Sequence, residues 1–450
     1  MILYISVHKT VRELDGKIYL ALQSAKRGFV PIIGRKSAIL KLLMEGPSGV
    51  FFDTRMNQSR LTVKKKNHFD LRKKGHDIWL FDEEATSIDD AAAYMKTQIS
   101  RDVISNTVKC LAWSDYHANM IKSVCDASSV YVTGHPRYDV YDKRIREIYR
   151  KDAEKHINIY GRYILIPSSF GHLAFGETEA LEKKIETNKR KGFFKTEVDV
   201  RSFLEKAYYR RKSAENYLCD IVKLARKYQN INFVIRPHFV ETNEMWATLL
   251  KNDLKNIHVV HDGPIASWIY GSIGVFHHHC STAVEAFLFD KPVISYVPIY
   301  DERFERFLPA AVSTVVDEFE ELVVAVGNII TGKPINKKDH GSIDLDYYIK
   351  NNNERLASDQ ILDLVQESQA ESMYDEIEDA KRYFASLEKK PRFRSLLSAL
   401  KRGKKREGEP RITLQLLNER LKLFTAIDPE LERCHVRQIG DELFYISAGD

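Results

Sequence analysis

Four short stretches of this 450-residue sequence carry side chains suited to holding phosphate: Ser168-Ser169, Arg236-Pro237-His238, His261-Asp262 and the run His277 to Thr282, which includes His279. Cations, hydroxyls and helix N-termini are what a phosphate group requires. The first part of the chain delivers His8 to Asp15, with Arg12, then Asp53, then Asp82-Glu83-Glu84, then Gly134-His135-Pro136-Arg137. Carboxylates in one half and phosphate binders in the other imply group transfer from a nucleotide-activated donor. In such a reaction cations and a helix end neutralise the leaving phosphate, here Arg236, His238 and the helix starting at Ser281. A carboxylate takes the proton of the acceptor hydroxyl. Alternate residues of a strand share a face, so in Asp82-Glu83-Glu84 the preferred base is Glu84, with Asp82 beside it and Glu83 as the other choice. A retaining route with a carboxylate nucleophile is equally open.

The triplet His277-His278-His279 also raises a metal site and a nucleophile. Strand neighbours alternate faces, so at best His277 and His279 share a side, and no nearby spacing supplies a third ligand. No GxSxG elbow surrounds Cys280 or Ser281. The remaining reading is an anion site in which Ser281 or Thr282 caps the helix AVEAFLFD and its dipole favours negative charge. GNIITGK (327–333) fits GxxxxGK, but no Ser or Thr follows the Lys and it ends an apolar helix, so it is not a P-loop. No metal and no cofactor are expected.

Positioning these residues takes strands that end where they begin. ILYISV, FVPIIG, VFFD, DIWLF, KCLAWS and VYVTG are short apolar runs separated by helical patterns, and YILIP, NFVIR, NIHVV, GVFHHH and PVISYVP repeat the plan. Alternation of this kind predicts doubly wound parallel sheets, with ligands at the carboxyl ends of the strands. The expected organisation is an N-terminal α/β domain over 1–155, a second over 156–338 with a helical insertion at 176–229, and a helical region over 339–450. Residues 435–447 read as one final strand.

Hydrophobic residues at 44% and charged residues at 29% describe a globular chain. The N-terminus lacks a basic flank followed by an apolar core, and five scattered cysteines with no CxxC fit a reducing cytoplasm. The net charge is +6, but KKPRFRSLLSALKRGKKR (389–406) holds nine Lys and Arg and no acid. The rest of the chain therefore sums to −3, and the basic character is one patch. Phe393, Leu396, Leu397 and Leu400 fall on one helical face between those charges, which fits reversible contact with an anionic membrane surface. The chain has no nucleic-acid motif.

Taken together, RELDGKIYLALQSAKRG, FDEEA, VTGHPRYD, YILIPSSFG, VIRPHFVE and HHHCSTAVEAFLFDKPVISYVP resemble the bacterial surface carbohydrate biosynthesis group of GT-B glycosyltransferases. That group is related in plan to capsule Kdo transferases and bacterial sialyl- and polysialyltransferases. The resemblance spans roughly residues 1–335. It implies two Rossmann-like domains facing a cleft, a metal-independent reaction, and a nucleotide held by the second domain. By position, His238 is similar to the phosphate-binding His of an HP motif, with Phe239 in place of Pro. Ser281-Thr282 resemble the motif that holds the donor phosphate, and Glu285 resembles the acid that contacts the ribose. FDEEA resembles the motif of the catalytic base, with Ala85 where Gly is usual. VTGHPRYD resembles a GNPR-D motif, with His135 for Asn. His238 as a loop cap and an Arg137–Asp139 pair are the structural alternatives.

The implied activity is transfer of a CMP-activated ulosonic acid, Kdo or a nonulosonic acid, to a surface glycan. Ser169 joins the expected nucleotide contacts, and Arg12, Asp15 and Arg137 the acceptor side. A lipid-linked acceptor would explain an enzyme placed at the inner face of the cytoplasmic membrane. The alternatives are a CDP-glycerol-type polyol-phosphate transferase and a non-catalytic nucleotide-sugar-binding protein of a glycan assembly complex.

Overall fold

The computed structural model describes residues 1–54, 68–83, 94–95, 99–171, 178–190, 192–238, 241, 246, 254–335, 344–350, 355–368, 374–388 and 410–449. The chain forms two compact units, residues 1–148 together with 344–450, and residues 149–343. Both are α/β; the first has a mainly parallel sheet with an antiparallel edge, the second a wholly parallel one. Glu84 and the basic segment 389–406 lie outside the described residues.

The first unit contains β1 (Ile2–Val7), β2 (Val30–Arg35), β3 (Val50–Asp53), β4 (Asp77–Phe81), β5 (Lys109–Ala112) and β6 (Val130–Val132). The second contains β7 (Tyr163–Pro167), β8 (Asn232–Arg236), β9 (Ile257–Val259), β10 (Gly274–His277), β11 (Val293–Tyr296) and β12 (Thr314–Val316). The chain then returns to the first unit with β13 (Cys434–Gly440) and β14 (Leu443–Ala448). β1, β3, β7, β10 and β11 are buried along their whole length. Continuous apolar strands of this kind are what helices on both faces of a parallel sheet demand.

In the first unit the strands run β13-β14-β2-β1-β3-β4-β5-β6, parallel from β2 to β6. The helix Thr10–Lys26 links β1 to β2, and Gly28 after it is left-handed at φ 82°, a conformation glycine adopts without strain. The C-terminal region departs from the helical expectation. β13 and β14 form an antiparallel hairpin, and β14 pairs antiparallel with β2. Phe444 and Ile446 are fully buried there. The preceding helices dock onto the same unit: Arg27 pairs with Asp359 (2.6 Å) and Asp363 (2.7 Å) on the helix Ala357–Glu367. Residues 344–450 therefore complete the first unit, covering the β2 edge that would otherwise expose unpaired backbone.

The second sheet runs β12-β11-β10-β7-β8-β9. Counted from β7, this is the 3-2-1-4-5-6 order of a doubly wound nucleotide-binding sheet, whose direction of winding reverses between β7 and β10. The helix Glu197–Lys227, entered through a capping box between Thr196 and Asp199, joins β7 to β8. Its second half buries Tyr217, Ile221 and Leu224 against the sheet. That half, expected as part of an insertion, is the crossover helix a parallel β7–β8 pair requires. Among the described residues no helix is long and apolar enough to cross a membrane.

Candidate functional site

The reversal between β7 and β10 is where a doubly wound sheet opens a crevice at its carboxyl edge. The pairing of Pro167 with Arg236 brings the Ser168-Ser169 loop beside the Arg236-Pro237-His238 loop, and the Ser168 N–H donates to the Arg236 carbonyl at 2.9 Å. Across the reversal, the Ser169 hydroxyl donates to the His278 carbonyl at 2.9 Å. YILIPSSFG, VIRPH and HHHCSTAVEAF thus converge at one strand edge.

A residue missed in the sequence ties these loops together. Glu241, 2% exposed, accepts from the Ser168 hydroxyl (2.5 Å), the Gly171 N–H (2.6 Å) and the Trp246 indole (2.9 Å). Its own N–H donates to the His238 carbonyl at 2.7 Å. A buried carboxylate must be satisfied by donors, and with the His238 N–H, which donates at 3.4 Å, four donors fix the loop that carries His238. Its only sequence signal is an acid three residues beyond His238.

Arg236 donates to the carbonyls of Asp262 and Gly263, the latter at 2.9 Å, and lies over the Trp268 ring at 5.4 Å. Burial pulls its pKa down to about 10 against the pull of Asp262, so it stays cationic at neutral pH. Expected as a phosphate contact, it is placed to hold the 262–263 turn. His261 and Asp262 belong to that turn.

Both ring nitrogens of His277 serve the fold: Nε2 bonds the Ser313 hydroxyl (2.9 Å) and Nδ1 accepts from the Cys280 N–H (3.3 Å). His278 stacks on Phe170 at 4.9 Å. Burial, reinforced by neighbouring charge, lowers His277 to about 3 and His278 well below the usual imidazole range, so both are neutral. His279 meets the Tyr209 hydroxyl and Glu305, each at 3.1 Å.

Ser281 occupies the N-cap of the helix Thr282–Leu288, but its side chain makes no capping hydrogen bond. The expected cap is absent because Ser281 has helical φ/ψ of −62° and −17°, whereas a capping side chain needs extended backbone to reach the N2 or N3 amide. Ser281 and Thr282 are half-buried, and Glu285 is buried in the first turn.

In the first unit RELDGK, FDEEA and GHPR also converge. Lys17 contacts Glu13 and Glu83, each at 2.8 Å, and His135 Nε2 lies 3.6 Å from Glu83. Burial disfavours the Lys17 ammonium, yet the two carboxylates outweigh it and the pKa is raised. His135 stacks on Trp113 at 4.0 Å, and burial followed by the Lys17 and Arg137 charges keeps it neutral. Gly16 permits this packing, because a Cβ there would lie 2.5 Å from the Pro136 carbonyl oxygen.

Asp82 accepts from the Tyr94 hydroxyl, and its carbonyl accepts from the Trp113 indole. Asp82 and Glu83 are each 3% exposed, so in this arrangement they serve buried partners and are not open carboxylates. Asp15 pairs with Arg420 at 3.2 Å. Arg12 is half-buried on the same helix, and Arg137 is buried beside His135. Asp139 caps the helix Ala357–Glu367, accepting from the Ala357 and Ser358 N–H groups at 2.8 Å each. Its carboxylate is thereby committed to that helix end.

No protein-family description matches this chain, and no curated protein matches it. Among solved structures, the wall teichoic acid polymerase TagF is similar at 12% identity and TM-score 0.50, over 82% of this chain and 88% of that one. UDP-GlcNAc 2-epimerases from Neisseria meningitidis (13% identity, TM-score 0.49) and Methanocaldococcus jannaschii (12%, 0.49) align with 82% of this chain and all of theirs. At such identity the likeness concerns fold. This chain has a GT-B-type α/β fold of two Rossmann-like units.

Proposed function

We propose that this protein transfers a group from a nucleotide-activated donor during bacterial surface glycan synthesis, and that its second unit binds the donor nucleotide. The observation that carries the reading is the Ser169–His278 junction at the β7/β10 reversal, beside Ser281, whose hydroxyl is not used to cap its own helix. His238, Ser169, Ser281 and Thr282 meet the phosphates, Glu285 the ribose, and Arg236 acts through the turn it holds. Half-exposed hydroxyls and amide dipoles at such an edge suit a phosphate that gains charge as it leaves.

The proposed donor is a CMP-activated ulosonic acid, the proposed base is Glu84, and the chemistry uses neither metal nor cofactor. Polyol-phosphate transfer from a CDP-activated donor is the second reading, because a wall teichoic acid polymerase shares the fold. The acceptor is a glycan, lipid-linked and reached through membrane contact of residues 389–406. Co-sedimentation with anionic liposomes, lost in 0.5 M salt, tests that last point.

The direct test is a thermal-shift panel of CMP, CDP and UDP, followed by transfer assays with the matching donors in EDTA. CMP or CDP should stabilise the protein, and His238→Ala should remove the shift without changing the unliganded Tm. Stabilisation by UDP alone would overturn the donor assignment, and nucleotide binding without transfer to any glycan acceptor would favour the non-catalytic alternative.

A further inference from the structure

His279 is built unlike its two neighbours. Its backbone is left-handed, with φ 48°, a region that few residues other than glycine enter, although Asn, Asp and His do so more readily than the rest. Such strain persists only where surrounding contacts over-determine it. Here the contacts form a triangle on the ring. Nε2 lies 3.1 Å from the Tyr209 hydroxyl and 3.1 Å from Glu305, and Tyr209 donates to Glu305 at 3.0 Å. Burial and the Glu305 carboxylate push the Tyr209 phenol up, so it keeps its proton and acts as donor. Arg306 donates to the His279 carbonyl at 3.1 Å. Hydrogen bonds to a charged group are the strong ones, which is what a strained residue needs.

The ring itself is closed off. His279 is 5% exposed, and Nδ1 has no hydrogen-bond partner among the described residues while being shielded from solvent. A ring atom without surface does not meet a ligand in this conformation. What the left-handed residue does control is the direction of the chain immediately after it. The chain leaves β10 at His277, kinks at His279, and enters the helix Thr282–Leu288 with Ser281 and Thr282 half-exposed.

We propose that His279 is a positioning residue for the donor phosphate, in which Tyr209 and Glu305 clamp the ring so that the left-handed kink presents Ser281 and Thr282. This rests on the nucleotide-donor reading above. Neither Tyr209 nor Glu305 lies in any of the motifs that suggested that reading.

The proposal separates backbone from ring, and glycine separates them experimentally because it enters the left-handed region freely. Calorimetric titration of CMP and CDP into the full chain compares wild type with His279→Gly, His279→Ala, Tyr209→Phe and the His279→Gly/Tyr209→Phe pair. His279→Gly should stay within about threefold of wild type, the loss reflecting glycine's freedom. His279→Ala, which keeps the steric penalty and loses the clamp, should bind about tenfold more weakly. Tyr209→Phe should weaken binding about fivefold in the wild-type background and change nothing further in the His279→Gly background. That last comparison carries the test alone if His279→Ala does not fold. Equal losses for Gly and Ala, or an undiminished Tyr209→Phe effect in the Gly background, overturn the proposal and leave the donor reading intact. Absence of CMP and CDP binding to wild type overturns both.

Discussion

The two units end their parallel strands in polar loops and use those loops in opposite ways. In the first, Glu13, Lys17 and Glu83 are all but completely buried, and the single ammonium pairs with both carboxylates at 2.8 Å. In the second, Glu241 accepts four donors, and burial strips the charge from His277 and His278. Half-exposed at that edge are the hydroxyl-bearing Ser169, Ser281 and Thr282, beside His238 and Arg236. Charge paired inside the protein fixes geometry, because moving any member strands its partner. Dipoles left open at a sheet reversal are free to meet a charge arriving from outside.

The largest effect that sharpens this contrast is expected at Lys17. Lys17→Met leaves two adjacent buried carboxylates unpaired and should cost about 3–5 kcal/mol in chemical denaturation of the first unit; a loss below about 1 kcal/mol would mean the cluster is not closed. Gly16→Ala should cost about 1–3 kcal/mol, since a Cβ meets backbone and cannot be accommodated by a rotamer change. The second unit should answer differently. Ser281→Ala with Thr282→Val should leave stability within about 0.5 kcal/mol while weakening CMP or CDP about tenfold; a fall in stability instead would make those hydroxyls structural.

A further effect is a pH dependence. Burial raises Asp139 to about 7, outweighing its hydrogen bonds to the 357–358 amides. Its folded pKa thus lies above the ordinary value of 3.8, and the native state holds the proton more tightly than the unfolded chain. The associated stability is complete below about pH 4 and falls as pH rises through about 7. Asp139→Asn should flatten that part of the profile for the first unit and leave the second unchanged.

The doubly wound plan was legible because buried parallel strands are uninterrupted apolar runs, as in ILYISV and YILIP. Motifs placed at strand ends landed together for the same reason: the carboxyl edge collects them whatever their order in sequence. Three things were not legible. Residues 435–447 read in sequence as one strand and form a hairpin, because β14 is buried through its first four residues while β13 is largely half-exposed. Glu241 and Glu305 were invisible because an acid that satisfies buried donors or clamps a ring looks like any surface acid in sequence. Asp82 and Glu83 looked like open carboxylates at a strand end, and burial against Tyr94 and Lys17 is a tertiary fact that no local pattern carries.

Nucleotide binding by the second unit at the β7/β10 reversal is the proposal on which the rest depends. Amide hydrogen exchange with and without saturating CMP or CDP tests it most directly. Exchange should slow in peptides covering residues 166–171, 236–241 and 278–286, and stay unchanged over 12–17 and 134–139. Protection confined to the first-unit peptides, or no protection anywhere, would contradict it.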